Sequence, residues 1–266
     1  MDTAAIAALL APFLERPLSQ FQLDQISIYI DLLLRWNARM NLTSIRHEKE
    51  IVSRHFGESL FLARHLYPDS SLLPNSDNRC HPETRFHPET PGDPERSSVI
   101  READAAAESK DPDQSPPSPP QVPVEPLHPP QVVDIGSGAG FPAIPLKIWA
   151  PSLHLTLIES NHKKAAFLSE VARALTLTNI NIMTDRAEVL APRRSSPADV
   201  VTLRAVERFE TILPTAVAFL AHEGTLALLI TTAQLPLLKT MPDLKSTLQL
   251  KVPESNTRLL SLWQKQ

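Results

Sequence analysis

Gln131-Val132-Val133-Asp134-Ile135-Gly136-Ser137-Gly138-Ala139-Gly140-Phe141-Pro142 is the stretch on which the fold is decided. The 266-residue chain holds only six glycines, and three of them, Gly136, Gly138 and Gly140, alternate here directly after a β-branched run. Such a run predicts a strand, and glycines at its end predict a turn that takes positive φ and brings backbone amides close to a ligand. Pro142 and Pro145 suit the first turn of a following helix, where a missing N–H costs little. Strand, glycine turn and helix in this order open a nucleotide-type cofactor site. Plain turns also use glycine, so the rest of the chain has to decide between the two.

Downstream, strands and helices alternate. Leu153–Ile158 reads as a second strand that stops at Glu159, nineteen residues after Gly140, where an acid receives ribose hydroxyls in a Rossmann-type site. An amphipathic helix over 161–175 turns Ala165, Leu168, Ala172 and Leu175 inward. Strands at 179–183 and 199–203 follow, with Thr184–Glu188 and Arg204-Ala205-Val206 at their ends. A helix over about 210–221, a turn at Glu223-Gly224, a strand at 225–230 and two β-rich runs at 246–252 and 257–263 complete the pattern. Repeated strand–helix units imply a parallel sheet with helices on both faces, and such sheets bind ligands at the carboxyl ends of their strands. The loops at 134–141, 159, 185–188 and 204 therefore converge on one crevice.

The dinucleotide fingerprint G-x-G-x-x-G needs glycine at position 141, where this chain has Phe141. NAD is thereby the second choice. An Asp-x-Gly-x-Gly-x-Gly loop suits S-adenosylmethionine, which has no pyrophosphate; the loop then approaches the methionine portion and an acid holds the ribose.

Composition adds bounds. Residues 69–130 carry twelve Asp/Glu against five Lys/Arg, a net of −7, and fourteen of the 26 prolines. The remainder, with 18 acids and 21 bases, nets +3, compatible with RNA without requiring it. The segment 69–130 shows almost no apolar periodicity and reads as an acidic, Pro-rich, disordered insertion. It divides the chain into an N-terminal helical part, 1–68, and a methyltransferase domain, 131–266. A single Cys80 forms no internal disulfide, no apolar run approaches the roughly 18 residues of a spanning helix, and no histidines stand at metal-site spacing. The expectation is a cytoplasmic protein without metal or membrane.

In the N-terminal part, helices are expected over 3–14, 19–37 and 47–66. Ile26, Ile30, Leu33 and Leu34 form the apolar stripe of the second, and Asn41 or Thr43 is placed to cap the third. His55 lies beside an apolar face and reads first as a structural histidine.

A specific resemblance then emerges. Trp36-Asn-x-x-x-Asn41-Leu42-Thr43, Arg54-His55-Phe56 with Ser59-Leu60, Val133–Pro142, Lys163-Lys164-Ala-Ala-Phe167-Leu168, Asp185-Arg186-Ala187-Glu188 and Arg204-Ala205-Val206 occur in this order. Together they resemble the small-subunit ribosomal RNA guanine-N7 methyltransferase family, RsmG/GidB, over about residues 20–68 and 131–230. The resemblance implies a class I S-adenosylmethionine-dependent methyltransferase: an α/β Rossmann-like sheet with an N-terminal helical part, acting on 16S ribosomal RNA or the small ribosomal subunit. Carried over by position, it puts Gly136, Phe141, Ala187, Glu188 and Arg204 on the cofactor, alongside Gly138 and Glu159 from the loop reading. Lys163, Lys164 and Arg186 sit at or near the carboxyl-end loops and are candidates for RNA phosphates, though lysines on a helix face are as often plain solvated surface. Three positions depart from the family pattern: Ala143 replaces a glycine, Glu58 an aspartate, and Ile230 a lysine near the end of strand five.

No catalytic dyad is visible, and none is required. Guanine N7 carries a lone pair and no proton, so its methylation asks for alignment and electrostatic tolerance rather than a general base. Two alternatives stay open at this level: a methyltransferase for a small molecule or protein, and a non-catalytic relative that binds cofactor or ribosome.

Overall fold

The computed structural model describes residues 1–68, 128–193, 196–206 and 208–266. The acidic Pro-rich stretch lies almost wholly outside them. Seven strands form one sheet in the order β3-β2-β1-β4-β5-β7-β6. These are β1 (Gln131–Ile135), β2 (His154–Ile158), β3 (Ile180–Met183), β4 (Ala198–Arg204), β5 (Leu220–Thr231), β6 (Leu244–Lys251) and β7 (Arg258–Lys265). The first five are parallel, and β7 runs antiparallel between β5 and β6. Order reverses between β1 and β4, so the crevice for a ligand opens over the glycine turn.

Alternation along each strand gives the sheet two cores. Val132, Leu155, Leu157, Val200, Ala227 and Leu229 face one, while Val133, Ile135, Ile158, Val201, Leu203, Leu226, Leu228 and Ile230 face the other. The first face receives α1 (Thr3–Leu10), α2 (Gln20–Asn37), α4 (Glu58–Leu66), α5 (Ala143–Trp149) and α6 (His162–Ala174). Short α7 (Ala187–Leu190) and α8 (Phe209–Phe219) cover the second. The N-terminal helices and the sheet thus share one core and belong to one compact unit.

Helix starts follow local chemistry. Ser19 and Gln22 close a capping box on α2, and Asn161 Oδ1 accepts the Lys163 and Lys164 amides at 2.9 and 3.2 Å. On α2 the buried stripe includes Leu32, while Leu34 is only partly covered. A second stripe is polar. Gln22 donates to the Ile148 carbonyl at 2.8 Å, Gln25 to that of Leu175 at 3.0 Å, Tyr29 to that of Ala139, and Trp36 to Glu170 at 3.0 Å. Steps of three, four and seven residues keep all four on one helix face, so α2 is fastened along its length to α5, α6 and the glycine turn.

Two local expectations are corrected. Neither Asn41 nor Thr43 caps the third helical segment; its N-cap is His47, with no side-chain bond. Instead Asn37 Oδ1 gathers the amides of Leu42 and Thr43 at 2.9 and 3.0 Å, which fixes the loop after α2 before the next helix begins. That segment runs as α3 (Glu48–Glu50), a π-helix (Ile51–Gly57) and α4. Glu223-Gly224 likewise does not separate α8 from β5. The strand already starts at Leu220, and the pairing steps from Ala198↔Leu220 to Val200↔Thr225, so the extra residues form a bulge inside it.

Candidate functional site

Gly136, Gly138 and Gly140 take φ of 71°, 55° and 85°. Side chains are strained in this region, and at Gly140 there is also no room: a Cβ would meet Tyr29 Oη at 2.5 Å and Ile144 Cδ1 at 2.6 Å. Across the turn, at the end of β2, the buried Glu159 carboxylate accepts the Gly138 amide on Oε2 and the Asn161 amide on Oε1, both at 2.8 Å. A carboxylate offers about four lone-pair sites, so roughly one on each oxygen is left for a ligand hydroxyl.

The turn opens into a cavity of about 860 Å³ whose walls include Gly136, Gly138, Phe141, Glu159, Ala187, Glu188 and Arg204. All seven positions read from sequence as cofactor contacts are therefore brought together. Of the three candidate RNA contacts, Lys164 and Arg186 are on the wall, whereas Lys163 is exposed and off it. The helix turn places the two lysines about 100° apart, so only one faces the crevice.

Charge is divided by the sheet order. The acids lining the cavity, Glu159, Asp185 and Glu188, belong to the ends of β2 and β3, on one side of the glycine turn. On the β4 side, Arg54, His55, Arg204, Arg208 and Arg258 line the wall with no acid among the described residues. Of this second wall, sequence reading reached Arg204 and missed Arg208 and Arg258. Its members come from the π-helix, β4, the residue that precedes α8, and β7, and Glu58 ties two of them together: its Oε2 accepts from Arg204 Nη2 at 2.9 Å and from Arg258 Nη1 at 2.5 Å. Arg204 Nη2 also donates to the Arg54 carbonyl at 2.7 Å, and Nη1 reaches the His55 carbonyl at 3.4 Å. The guanidinium of Arg204 is thus bonded to the π-helix carbonyls and to Glu58. Burial lowers its pKa to about 10 despite Glu58 beside it.

His55 joins the site from the same helix. Its ring stacks on Phe141 with centroids 4.7 Å apart and 17° between planes, and Phe141 stacks on Tyr29 at 5.2 Å and 4°. Nε2 meets Thr43 Oγ1 at 2.7 Å, and Nδ1 is buried without a protein partner. Burial, then the charges of Arg204, Arg258 and Arg54, lower its pKa to about 3, so the ring is neutral at ordinary pH. Beneath the turn, Asp134 Oδ1 accepts from Thr202 Oγ1 at 2.5 Å while Oδ2 has no protein partner. Burial raises this carboxyl to about 6, against the hydrogen bond from Thr202.

Ile230, where the resemblance led to a lysine, is buried in the core on the α8 face and does not line the cavity. Among the described residues, no group of three or more His, Cys, Asp or Glu is placed to hold a metal, and no helix is long and apolar enough to cross a membrane.

A parallel sheet with this strand order, an antiparallel β7 beside β5, and an acid-anchored glycine turn define the Rossmann-like fold of class I methyltransferases. Over residues 22–73 and 122–257 the sequence matches the family GidB, rRNA small subunit methyltransferase G, and the chain belongs to that family. Relatives called Ribosomal RNA small subunit methyltransferase G include one from Roseiflexus castenholzii, 35% identical over 74% of this chain and 59% of its own length. One from Bacillus subtilis is 29% identical over 73% of this chain and 58% of its own length. One from Xylella fastidiosa is 29% identical over 85% of this chain and 79% of its own length. The chain therefore spans less than two thirds of the first two relatives.

Proposed function

We propose that this chain transfers a methyl group from S-adenosylmethionine to N7 of a guanine in 16S ribosomal RNA, in the cytoplasm and with the small ribosomal subunit or its RNA as partner. The observation that carries the reading is Glu159, whose buried carboxylate is fixed by two backbone amides and keeps acceptor capacity toward the cavity. That donor set fits a ribose diol. Gly136 and Gly138 leave the loop free of side chains where the methionine portion would lie, and Ile158 and Ala187 give an apolar flank for the adenine. The cavity volume falls in the range of roughly 300–1,000 Å³ usual for ligand clefts. S-adenosylmethionine bound there supplies an electrophilic methyl carbon.

The chain's own residues have to bind, orient and tolerate charge. N7 has no proton to remove, and neither His55, neutral with Nε2 on Thr43 and Nδ1 buried, nor Asp134, beneath the loop, is placed to remove one. Alignment then supplies the rate. Arg54, Arg208 and Arg258 on the β4 side, with Lys164 and Arg186 opposite, are positioned for RNA phosphates. Purified protein incubated with labelled cofactor and unmethylated 16S RNA should yield one N7-methylguanine, mapped by chemical cleavage. Tight cofactor binding with no mapped guanine would refute the proposal.

A further inference from the structure

The Tyr29–Phe141–His55 stack has one buried end and one end at the cavity. Tyr29 is fully buried, with its hydroxyl on the Ala139 carbonyl and Phe56 edge-on to its ring at 5.2 Å. Phe141 lies between the other two rings, and His55 is the member on the far side, lining the cavity. Thr43 closes off Nε2, and Nδ1 has essentially no solvent-accessible surface, so what His55 offers the cavity is ring carbon rather than a nitrogen. A rigid, backed aromatic ring with hidden nitrogens is suited to stacking and unsuited to proton transfer. Its position also selects the ligand. It stands on the β4 side of the glycine turn among Arg54, Arg204 and Arg258, away from the ribose acceptor Glu159 at β2.

We infer that His55 is the platform on which the target purine of the RNA stacks, with Phe141 and Tyr29 as its rigid backing and Thr43 as the group that fixes its plane. The identity of that purine as guanine rests on the function proposed above; the stacking surface does not. Because the imidazole carries no proton at ordinary pH, a base that becomes cationic on N7 methylation meets a neutral π-face instead of another positive charge. A structural histidine would instead need only its Thr43 bond, and its ring would be indifferent to replacement by any group of similar bulk.

7-Methylguanosine 5′-monophosphate fluoresces and is quenched on stacking, so its titration into the full-length protein reads the platform without turnover. Wild type and His55→Phe should both quench it, and His55→Ala should weaken its binding by roughly five- to a hundredfold, the span of base–aromatic stacking. His55→Leu, of similar bulk without a π-face, should resemble His55→Ala. Calorimetric affinity for S-adenosylmethionine should be unchanged across the set, and thermal melts confirm that each variant is folded. Absence of quenching by wild type overturns the platform, as does a folded His55→Phe as weak as His55→Ala. Loss of S-adenosylmethionine affinity in parallel with nucleotide affinity would place His55 on the cofactor instead and equally overturn it. Quenching that follows the ring, in a protein that transfers no methyl group to ribosomal RNA, supports the platform while refuting the methyltransferase reading.

Discussion

On the β2 and β3 side of the glycine turn, the cavity wall is made of strand ends that follow each other along the chain, Gly136 to Glu159 to Glu188. On the β4 side it is made of residues from positions 43, 54, 55, 204, 208 and 258, which only the folded chain brings together, with Glu58 behind them joining Arg204 to Arg258. The first wall carries its own acids and is held by backbone amides; the second is cationic and hangs on a single carboxylate, Glu58. One side is a local consequence of strand–turn–helix geometry. The other depends on N-terminal helices docked onto one face of the sheet.

The widest test of that difference is Glu58→Gln. Removing one partner from a buried ion pair costs about 3–5 kcal/mol, because Arg204 keeps its charge in a desolvated place. Denaturant unfolding should show a loss of this order, with the β4 wall disordered and the Glu159 side still able to bind cofactor if the protein is kept folded at low temperature. Glu159→Ala tests the opposite wall. It should lower affinity for S-adenosylmethionine about a hundredfold, near 2.7 kcal/mol, by calorimetry, since both the ligand acceptor and the amide anchors are lost.

Acid titration separates the loop from the second wall by sign. Asp134 has its folded pKa raised from 3.8 to about 6, so its contribution is fully present below its unfolded pKa and is lost as pH rises through about 6. His55 has its folded pKa depressed from 6.5 to about 3, so its contribution is fully present above 6.5 and is lost as pH falls toward about 3. Between about pH 4 and 6 the two slopes oppose each other, each about 1.4 kcal/mol per pH unit at most. Wild-type stability should therefore lack a net slope from this pair in that window. Asp134→Asn should make the protein lose stability on acidification there, and His55→Phe should make it gain stability, both read from denaturant midpoints at fixed pH. The smallest expected effect belongs to the lysines: Lys164→Ala should weaken RNA binding by a few-fold at low salt and Lys163→Ala should leave it unchanged, since only Lys164 faces the cavity. Equal effects would show that the wall is broader than the crevice.

What was legible in the sequence follows the same line. Hydrophobic period, glycine spacing and proline position are local signals, and they predicted every strand of the sheet and the acid at the end of β2. Glu159 was reachable because its partner Gly138 lies one strand–helix unit away. Arg258 was not, because its partner Glu58 is 200 residues distant and nothing in Asn256-Thr257-Arg258 marks it as a wall residue. Arg204 was placed at the cavity correctly, yet its guanidinium binds the π-helix, a winding that periodicity did not reveal. His55 was read as structural from its apolar neighbours, which describes its Nε2 bond and misses its ring. The capping expectation for Asn41 and Thr43 failed because Asn37 had already taken the amides that decide the turn.

Gly140 answers to Tyr29 as well as to the cavity. A side chain there would strike the tyrosine hydroxyl and the Ile144 and Leu168 side chains before it reached any ligand. The third glycine of the loop is thus required by the protein's own interior, and it is coupled to α2: a side chain at position 140 has no room while the hydroxyl of Tyr29 is in place. Glycine-rich cofactor loops are usually read as a record of what they bind; this one also records which helix lies behind it.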